Sequence, residues 1–111
     1  MINKDELNKL TASVNNRVGD IFGKHLKLII LKGDYADETV TENSVIEYWV
    51  IVDLNKTEMY SYMKTLKELS GLYEVQYNVP VKISAEDYYA FSHFPDKGFY
   101  KELHEKGIII S

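Results

Sequence analysis

The hydrophobic positions of the chain change their period along its length, and these changes predict the order of helices and strands. Near the amino terminus, apolar residues recur at steps of three and four, the spacing that places side chains on one helix face: Leu7, Leu10, Val14, Val18 and Ile21. The pattern predicts a helix over Lys4–Phe22. Asn3 and Glu6 are placed to form a capping box, and Gly23 is placed to end the helix.

Two short apolar runs after this helix predict two strands. Residues 26–31 are mostly apolar and are followed by Lys32 and Gly33, a pattern typical of a buried strand. Residues 45–52 form the strongest strand pattern in the chain. The segment between them, residues 34–43, carries four acids, two threonines and an asparagine, so it predicts a polar connection or a short irregular helix.

The second half of the chain predicts a further helix and a third strand. Asn55 is placed to cap a helix over residues 56–69, and Ser70-Gly71 is expected to end it. Residues 73–84 alternate between apolar and polar with the period of a strand. Pro80 within them indicates an edge position, a bulge or an irregular pairing, because proline cannot donate a ladder hydrogen bond.

The carboxyl-terminal quarter predicts two short helices. Ser84 is expected to cap a helix over residues 85–91, and after a turn a last helix covers residues 99–106. Residues 108–110 are an apolar tag, either a short strand or a plug against the core. The order helix, strand, strand, helix, strand, helix, helix predicts an α/β or α+β domain with a small mixed sheet flanked by helices.

Length and composition narrow the classes of function. At 111 residues the chain is expected to be a single domain, residues 1–111. A net charge of -4 argues against a general nucleic-acid binder, which needs a basic face. The absence of cysteine excludes disulfides and cysteine-ligated zinc. The amino terminus does not resemble a signal peptide, and no apolar run is long enough for a membrane span, so we expect a cytoplasmic protein without membrane contact.

One segment of the sequence contains the candidate catalytic and ligand-binding residues. A Gly-Asp pair, Gly33 and Asp34, ends the first predicted strand, and Val45 and Glu47 open the second one ten residues later. This resembles the active-site signature of the minimal nucleotidyltransferases, in which Gly-Ser ends one strand and Asp-x-Asp opens the next at the same spacing. Residues 84–88 and 99–108 are also similar to the closing helices and the Glu-Gly-Ile ending of that family. The resemblance implies a nucleotidyltransferase-like sheet flanked by helices.

The resemblance also shows what this chain lacks. Nucleotidyl transfer uses two divalent ions held by carboxylates, and two acids at i and i+2 of a strand reach them from one face. Here Val45 replaces the first aspartate, Glu47 keeps a carboxylate at the second, and Asp34 replaces the phosphate-binding serine. A third acid is expected on the strand predicted at residues 73–84. None is found there unless Glu74 takes the role.

These substitutions predict a catalytically impaired or inactive pseudoenzyme. The resemblance then implies a protein-binding or nucleotide-binding module of antitoxin type, with a helical HEPN-type partner or a homodimer, and no cofactor. The alternative is an active metal-dependent transferase that moves a nucleotide from a nucleoside triphosphate to a protein or small molecule. That alternative assigns catalysis to Glu47, a metal to Glu47 and Asp34, a degenerate phosphate-binding loop to Gly33, Asp34 and Tyr35, and Mg²⁺ with ATP as cofactors.

Two further interpretations remain open at this point. A purely structural subunit or homodimer without ligand is a third class of function. Trp49 lies on the same side of its strand as Glu47, because side chains alternate along a strand. It is expected to pack in the core, with stacking on a nucleotide base as the second interpretation. The three histidines have no metal-ligand spacing.

Overall fold

A four-stranded mixed sheet separates two layers of helices in a computed structural model, which describes residues 1–110. The helices are α1 (Lys4–Phe22), α2 (Asp34–Asp37), α3 (Lys56–Tyr60), α4 (Met63–Tyr77), α5 (Tyr88–His93) and α6 (Gly98–Lys106). The strands are β1 (Leu26–Lys32), β2 (Ile46–Val52), β3 (Val81–Asp87) and β4 (Ile108–Ile109). A one-turn 3-10 helix, Gly23–His25, joins α1 to β1. The α+β class with a small mixed sheet is confirmed.

The sheet has the order β3-β2-β1-β4. β1 pairs antiparallel with β2 on one side and with β4 on the other. β2 and β3 are parallel, and α3 and α4 make the crossover between them. The strand alternative for the terminal apolar tag is therefore confirmed. Within residues 1–110, no helix is long and apolar enough to cross a membrane.

The first helix and its caps form as the sequence predicts. The Asn3 side chain accepts a hydrogen bond from the Glu6 N–H, and the Glu6 carboxylate accepts one from the Asn3 N–H. These bonds satisfy backbone donors that the first turn leaves without helical partners. At the other end Gly23 has a φ of 55°, a conformation that glycine adopts without steric cost.

The two faces of the sheet differ in size and chemistry. The large face packs against α1 and α4, and it contributes most of the buried core through Ile29, Leu31, Ile46, Tyr48, Val50, Val52, Val81 and Ile83. The small face packs against α5 and α6, with buried Ile30 and Ile51 meeting Phe91 and Leu103. The alternation of side chains along each strand produces this division. It places the charged side chains of Lys32, Glu47 and Lys82 on the small face.

The prediction of a strand over residues 73–84 is wrong in its first half. α4 runs through Ser70-Gly71 to Tyr77 and ends at Asn78, whose φ of 53° is left-handed. The apolar residues of this stretch also fit a helix, since Leu66, Leu69 and Tyr73 recur at three and four and are buried. A strand in which alternate residues are buried would have buried Val75 together with Tyr73, but Val75 is 86% exposed.

The boundary between the third strand and the next helix also moves. Residues 85–87 belong to β3 and pair with residues 50–52 of β2, so the predicted helix over residues 85–91 begins only at Tyr88. Its cap is Asp87, which accepts a hydrogen bond from the Tyr89 N–H, rather than Ser84. Pro80 lies just before the strand, where the missing N–H costs no ladder bond.

The helix predicted over residues 56–69 is divided in two. Asn55 caps α3 in a capping box with Glu58, as expected. Ser61 and Tyr62 lie between the two helices, and α4 starts at Met63.

Candidate functional site

Gly33 and Glu47 meet at the end of the β1–β2 pair. Gly33 has a φ of 88°, which side-chain-bearing residues rarely adopt. A Cβ added there would lie 2.5 Å from Glu47 Oε2, so the carboxylate occupies the space that the glycine leaves open. The structure therefore brings these two predicted site residues together.

Asp34 is directed into its own loop. Ser44 Oγ donates to Oδ2 over 2.7 Å, and Thr39 Oγ1 donates to Oδ1 over 3.0 Å. These two bonds, with the Ser44 bond the larger cause, hold the pKa of the Asp34 carboxyl below its usual value. Both carboxylate oxygens thus hold the connection between α2 and β2.

Tyr35, the third residue of the predicted phosphate-binding loop, faces the core. It is 7% exposed and belongs to the cluster on the large face. Its hydroxyl accepts a long hydrogen bond, 3.4 Å, from the Ile2 N–H. The side chain therefore ties α2 to the amino-terminal segment and points away from the Gly33–Glu47 contact.

Three charged side chains form a row across the small face, the charged row of Lys32, Glu47 and Lys82. Lys32 is the cross-strand partner of Glu47 on β1, and Lys82 is its partner on β3. Partners in register point to the same face of a sheet, about 5 Å apart between neighbouring strands. Within residues 1–110, Glu47 has no ion pair closer than 4.0 Å, because Lys32 binds Glu102 at 3.4 Å instead.

The row has no second carboxylate. The β3 position beside Glu47 is Lys82, and the acids of β3, Glu86 and Asp87, lie beside Ile51 and Val52 at the far end of β2. Four residues along a strand separate Glu86 from Lys82 by about 13 Å. Glu74, the other candidate for a third acid, lies on α4. Across residues 1–110, no group of three or more acids and histidines could hold a metal ion.

Aromatic rings cover the small face beside the charged row. The ring centroids of Trp49 and Phe99 are 4.4 Å apart. Lys82 Nζ lies 5.0 Å from the Trp49 ring, and Lys32 Nζ lies 5.5 Å from the Phe99 ring. Trp49 packs against the small-face cluster, which confirms the core interpretation. Its Nε1–H is buried and has no hydrogen-bond partner in the described part of the chain.

A groove of about 630 Å³ runs along the outer edge of β3. We call it the edge groove. One wall is formed by α3 and α4, and the floor by β3, with Trp49 at one side; the lining includes Met59, Tyr60, Met63, Lys67, Ser70, Glu74, Lys82, Ser84 and Glu86. Reasoning from the sequence missed this groove because it placed half of α4 in the strand.

Comparison of the chain with protein-family models, curated proteins and solved structures found no match.

Proposed function

We propose that the chain is a nucleotidyltransferase-like domain that has lost catalysis and acts as a protein-binding module of antitoxin type. The observation that carries this proposal is the charged row, in which Lys32 and Lys82 flank the one carboxylate, Glu47. Further support comes from the contact at Gly33, the aromatic rings on the small face and the apolar side chains exposed on α4.

The charged row opposes two-metal chemistry. Two divalent ions need several carboxylate oxygens to offset their mutual repulsion. Each lysine adds a positive charge on the same face as Glu47. Two unit charges 5 Å apart at an effective dielectric of 20 repel by roughly 3 kcal/mol, and a divalent ion doubles that figure. Because Glu102 offsets the charge of Lys32, Lys82 is the cation that opposes a metal ion beside Glu47, and a single unpaired carboxylate there favours a site without metal ions.

The contact at Gly33 opposes phosphate binding. A glycine at the end of a strand allows phosphate oxygens to approach the backbone. Here the Glu47 carboxylate fills that approach, within 2.5 Å of where a Gly33 Cβ would lie. A phosphate at this position would meet a negative charge at contact distance. Asp34 adds a second ionised carboxylate on the following residue.

The aromatic rings on the small face oppose base stacking. A nucleotide base on Trp49 needs a free ring face beside Glu47. One side of the ring meets Phe99 at 4.4 Å, and Lys82 Nζ lies at 5.0 Å. A base would have to displace one of these neighbours. Trp49 is therefore better explained as packing than as a nucleotide contact.

Exposed apolar side chains on α4 support a protein partner. Leu72 is 61% exposed and Val75 is 86% exposed, and residues three apart are neighbours on a helix. Large apolar side chains exposed together often mark a protein contact. The proposed partner is a helical protein of HEPN type, whose own apolar helix face would pack on this side of α4.

The test of lost catalysis is calorimetry with MgATP on the wild-type chain and on a restored variant. The restored variant combines Asp34→Ser, Val45→Asp, Glu47→Asp and Lys82→Asp, which supplies the serine and three carboxylates. We expect no binding heat for the wild type and measurable heat for the restored variant. Lys24→Glu, in the 3-10 helix, is the control for a change of charge alone.

A positive wild-type result would support the alternative. Transfer of label from ATP to a protein or small molecule, abolished by Glu47→Gln, would identify an active transferase and contradict this proposal. The partner contact has its own test. Co-purification with a helical partner should be lost in a Leu72→Glu, Val75→Glu variant and kept in Lys24→Glu.

A further inference from the structure

We propose that the edge groove binds a fatty-acid anion, an unbranched apolar chain with one carboxylate. The volume of the groove, about 630 Å³, lies within the range of about 300–1,000 Å³ that is usual for small-molecule sites. This inference does not depend on the proposed function. Gly33, Asp34 and Glu47 do not line the groove. Leu72 and Val75, the proposed partner contact, do not line it either.

The groove is elongated, because it follows β3 from Val81 to Glu86. Five steps along a strand cover about 17 Å. The Ile83 N–H near its centre is not free for a ligand, since it already donates to Ser70 Oγ over 3.1 Å. A ligand there is therefore held by side chains, and an unbranched chain fits an elongated groove better than a fused ring system does.

Apolar side chains line the groove on the side of α3 and α4. Tyr60 and Met63 are 73% and 54% exposed, and Met59 is half-buried beside them. A methionine side chain is flexible and polarisable, so it adapts to an apolar ligand of irregular shape. Trp49 lies at the other side of the groove. An acyl chain between these side chains would remove apolar surface from water, which is the main source of affinity for such a ligand.

The charged side chains of the groove carry a surplus of one positive charge. Three lysines and two glutamates line it: Lys56, Lys67, Lys82, Glu74 and Glu86. Within residues 1–110, none of the five has an ion-pair partner within 4.0 Å. A surplus of one charge favours a monoanion, whereas a polyphosphate would be repelled more strongly by the two glutamates.

The two elements that carry most of these charges, α4 and β3, run in opposite directions beside the groove. Residues 78–80 join them, and Ser70 near the centre of α4 bonds to Ile83 of β3. The second half of α4 therefore lies beside the start of β3, and its first half lies beside the end of β3. Each end of the groove then has one lysine and one glutamate from these elements: Lys82 with Glu74, and Lys67 with Glu86.

Lys56 makes the end of the groove with Lys67 the positive one. It is the first residue of α3, which follows β2, and β2 runs parallel to β3, so it lies at the same end as Glu86. The Glu86 carboxylate is already engaged, because the Tyr100 hydroxyl donates to its Oε2 over 3.1 Å. The carboxylate of the ligand therefore belongs near Lys56 and Lys67, with its chain along the groove towards Trp49.

The first test is calorimetry of the full chain with decanoate, below the concentration at which decanoate forms micelles. We expect saturable binding of one decanoate per chain. Octanoate, two methylenes shorter, should bind about tenfold more weakly, because each buried methylene contributes to affinity. Octan-1-ol, which has no charge, should bind roughly fivefold more weakly than octanoate. No saturable binding of decanoate, or equal binding of octan-1-ol and octanoate, would overturn the proposal.

Substitution of single lysines tests the position of the carboxylate. Lys56→Gln and Lys67→Gln should each raise the dissociation constant of octanoate roughly threefold and leave that of octan-1-ol unchanged. Lys24→Gln, at an exposed lysine outside the groove, removes the same charge and should change neither. An equal loss of octanoate affinity in Lys24→Gln would show a general effect of net charge and contradict the assigned site.

Trp49 tests whether the acyl chain occupies the groove. It is the one tryptophan of the chain, so decanoate should change its fluorescence with the midpoint found by calorimetry. Met63→Ser should weaken octanoate and octan-1-ol alike, because both lose the same apolar contact. Binding heat without a change in Trp49 emission, or without an effect of Met63→Ser, would overturn the proposed site. None of these outcomes affects the MgATP test, because decanoate has neither phosphate nor base.

Discussion

The two faces of the sheet differ in the residues they carry and in the role we expect each to have. The large face is mostly apolar along the three long strands and packs against α1 and α4. The small face has a smaller apolar cluster and then the charged row, where Glu47 lies between two lysines. The large face explains why the chain folds. The small face carries the charged row on which the proposed loss of catalysis depends, so the two faces should respond differently to substitution.

The largest expected difference between the two faces is in the free energy of unfolding lost when one buried leucine on each face is replaced by alanine. Leu10 is buried on the large face and Leu103 on the small face, at 0% and 1% exposure. Leu10→Ala should lower the free energy of unfolding by about 3–5 kcal/mol, and Leu103→Ala by about 2–3 kcal/mol, because a smaller cluster collapses more readily around a cavity. Urea unfolding measures both. A larger cost at Leu103 would reverse the proposed ranking of the faces.

Tyr48, on the large face, should make the free energy of unfolding depend on pH in the alkaline range. Burial raises the pKa of Tyr48 to about 12, against a contrary effect of the hydrogen bond with Thr11 Oγ1 at 2.7 Å. Because the folded pKa is raised, this contribution to stability is present below pH 10 and is lost as the pH rises towards 12. At 1.36 kcal/mol per pKa unit the loss is about 2–3 kcal/mol.

The measurement for Tyr48 is the free energy of unfolding of wild type and Tyr48→Phe between pH 8 and pH 12. The difference between them should shrink as the pH rises. Tyr60→Phe, at an exposed tyrosine, is the control and should leave the wild-type slope unchanged. A Tyr48→Phe variant with the same alkaline slope as the wild type would show that the hydroxyl is hydrated.

The contact between Gly33 and Glu47 can be tested on the small face by a double-mutant cycle. Gly33→Ala should cost about 1–3 kcal/mol, from the left-handed backbone and from the clash with the Glu47 carboxylate. Glu47→Ala in the same chain should recover only the part due to the clash. Thermal unfolding of the four proteins gives the coupling. Strictly additive effects would mean that the carboxylate does not fill this space.

The smallest effect is expected at the loop between α2 and β2. The pKa of Asp34 is lowered chiefly by its hydrogen bond from Ser44, so the stability it contributes is present above its unfolded pKa and is lost as the pH falls through the lowered value. Ser44→Ala should therefore destabilise the chain near pH 7 and lose that deficit below pH 4. A deficit that persists at low pH would indicate packing of the buried Ser44 instead.

The sequence predicted the first half of the fold better than the second. The predictions for α1, β1 and β2 were correct because the hydrophobic period, caps and glycines of those segments agree with one another. Residues 73–77 carry apolar residues that fit both a strand period and the continuing helix of α4. Tyr73 belongs to α4 and is buried in the core of the large face, and this tertiary packing decides between them.

The candidate site was predictable only where it depends on neighbouring segments. The spacing placed Gly33 after the first strand and Glu47 near the start of the second, which is where the structure has them, but their contact was not predicted. Lys82 could not be placed beside Glu47, because its position depends on the register of a parallel strand whose start was misplaced. Tyr35 was assigned to the phosphate-binding loop by resemblance, but helix α2 turns it into the core.

Trp49 offers the most direct test of the central claim, because it is the one tryptophan of the chain and packs beside the charged row. The measurement is the fluorescence of Trp49 during titration with MgATP. The proposed loss of the nucleotide and metal sites predicts no change in emission for the wild type and a saturable change in the restored variant. A saturable change in the wild type that Glu47→Gln abolishes would contradict it.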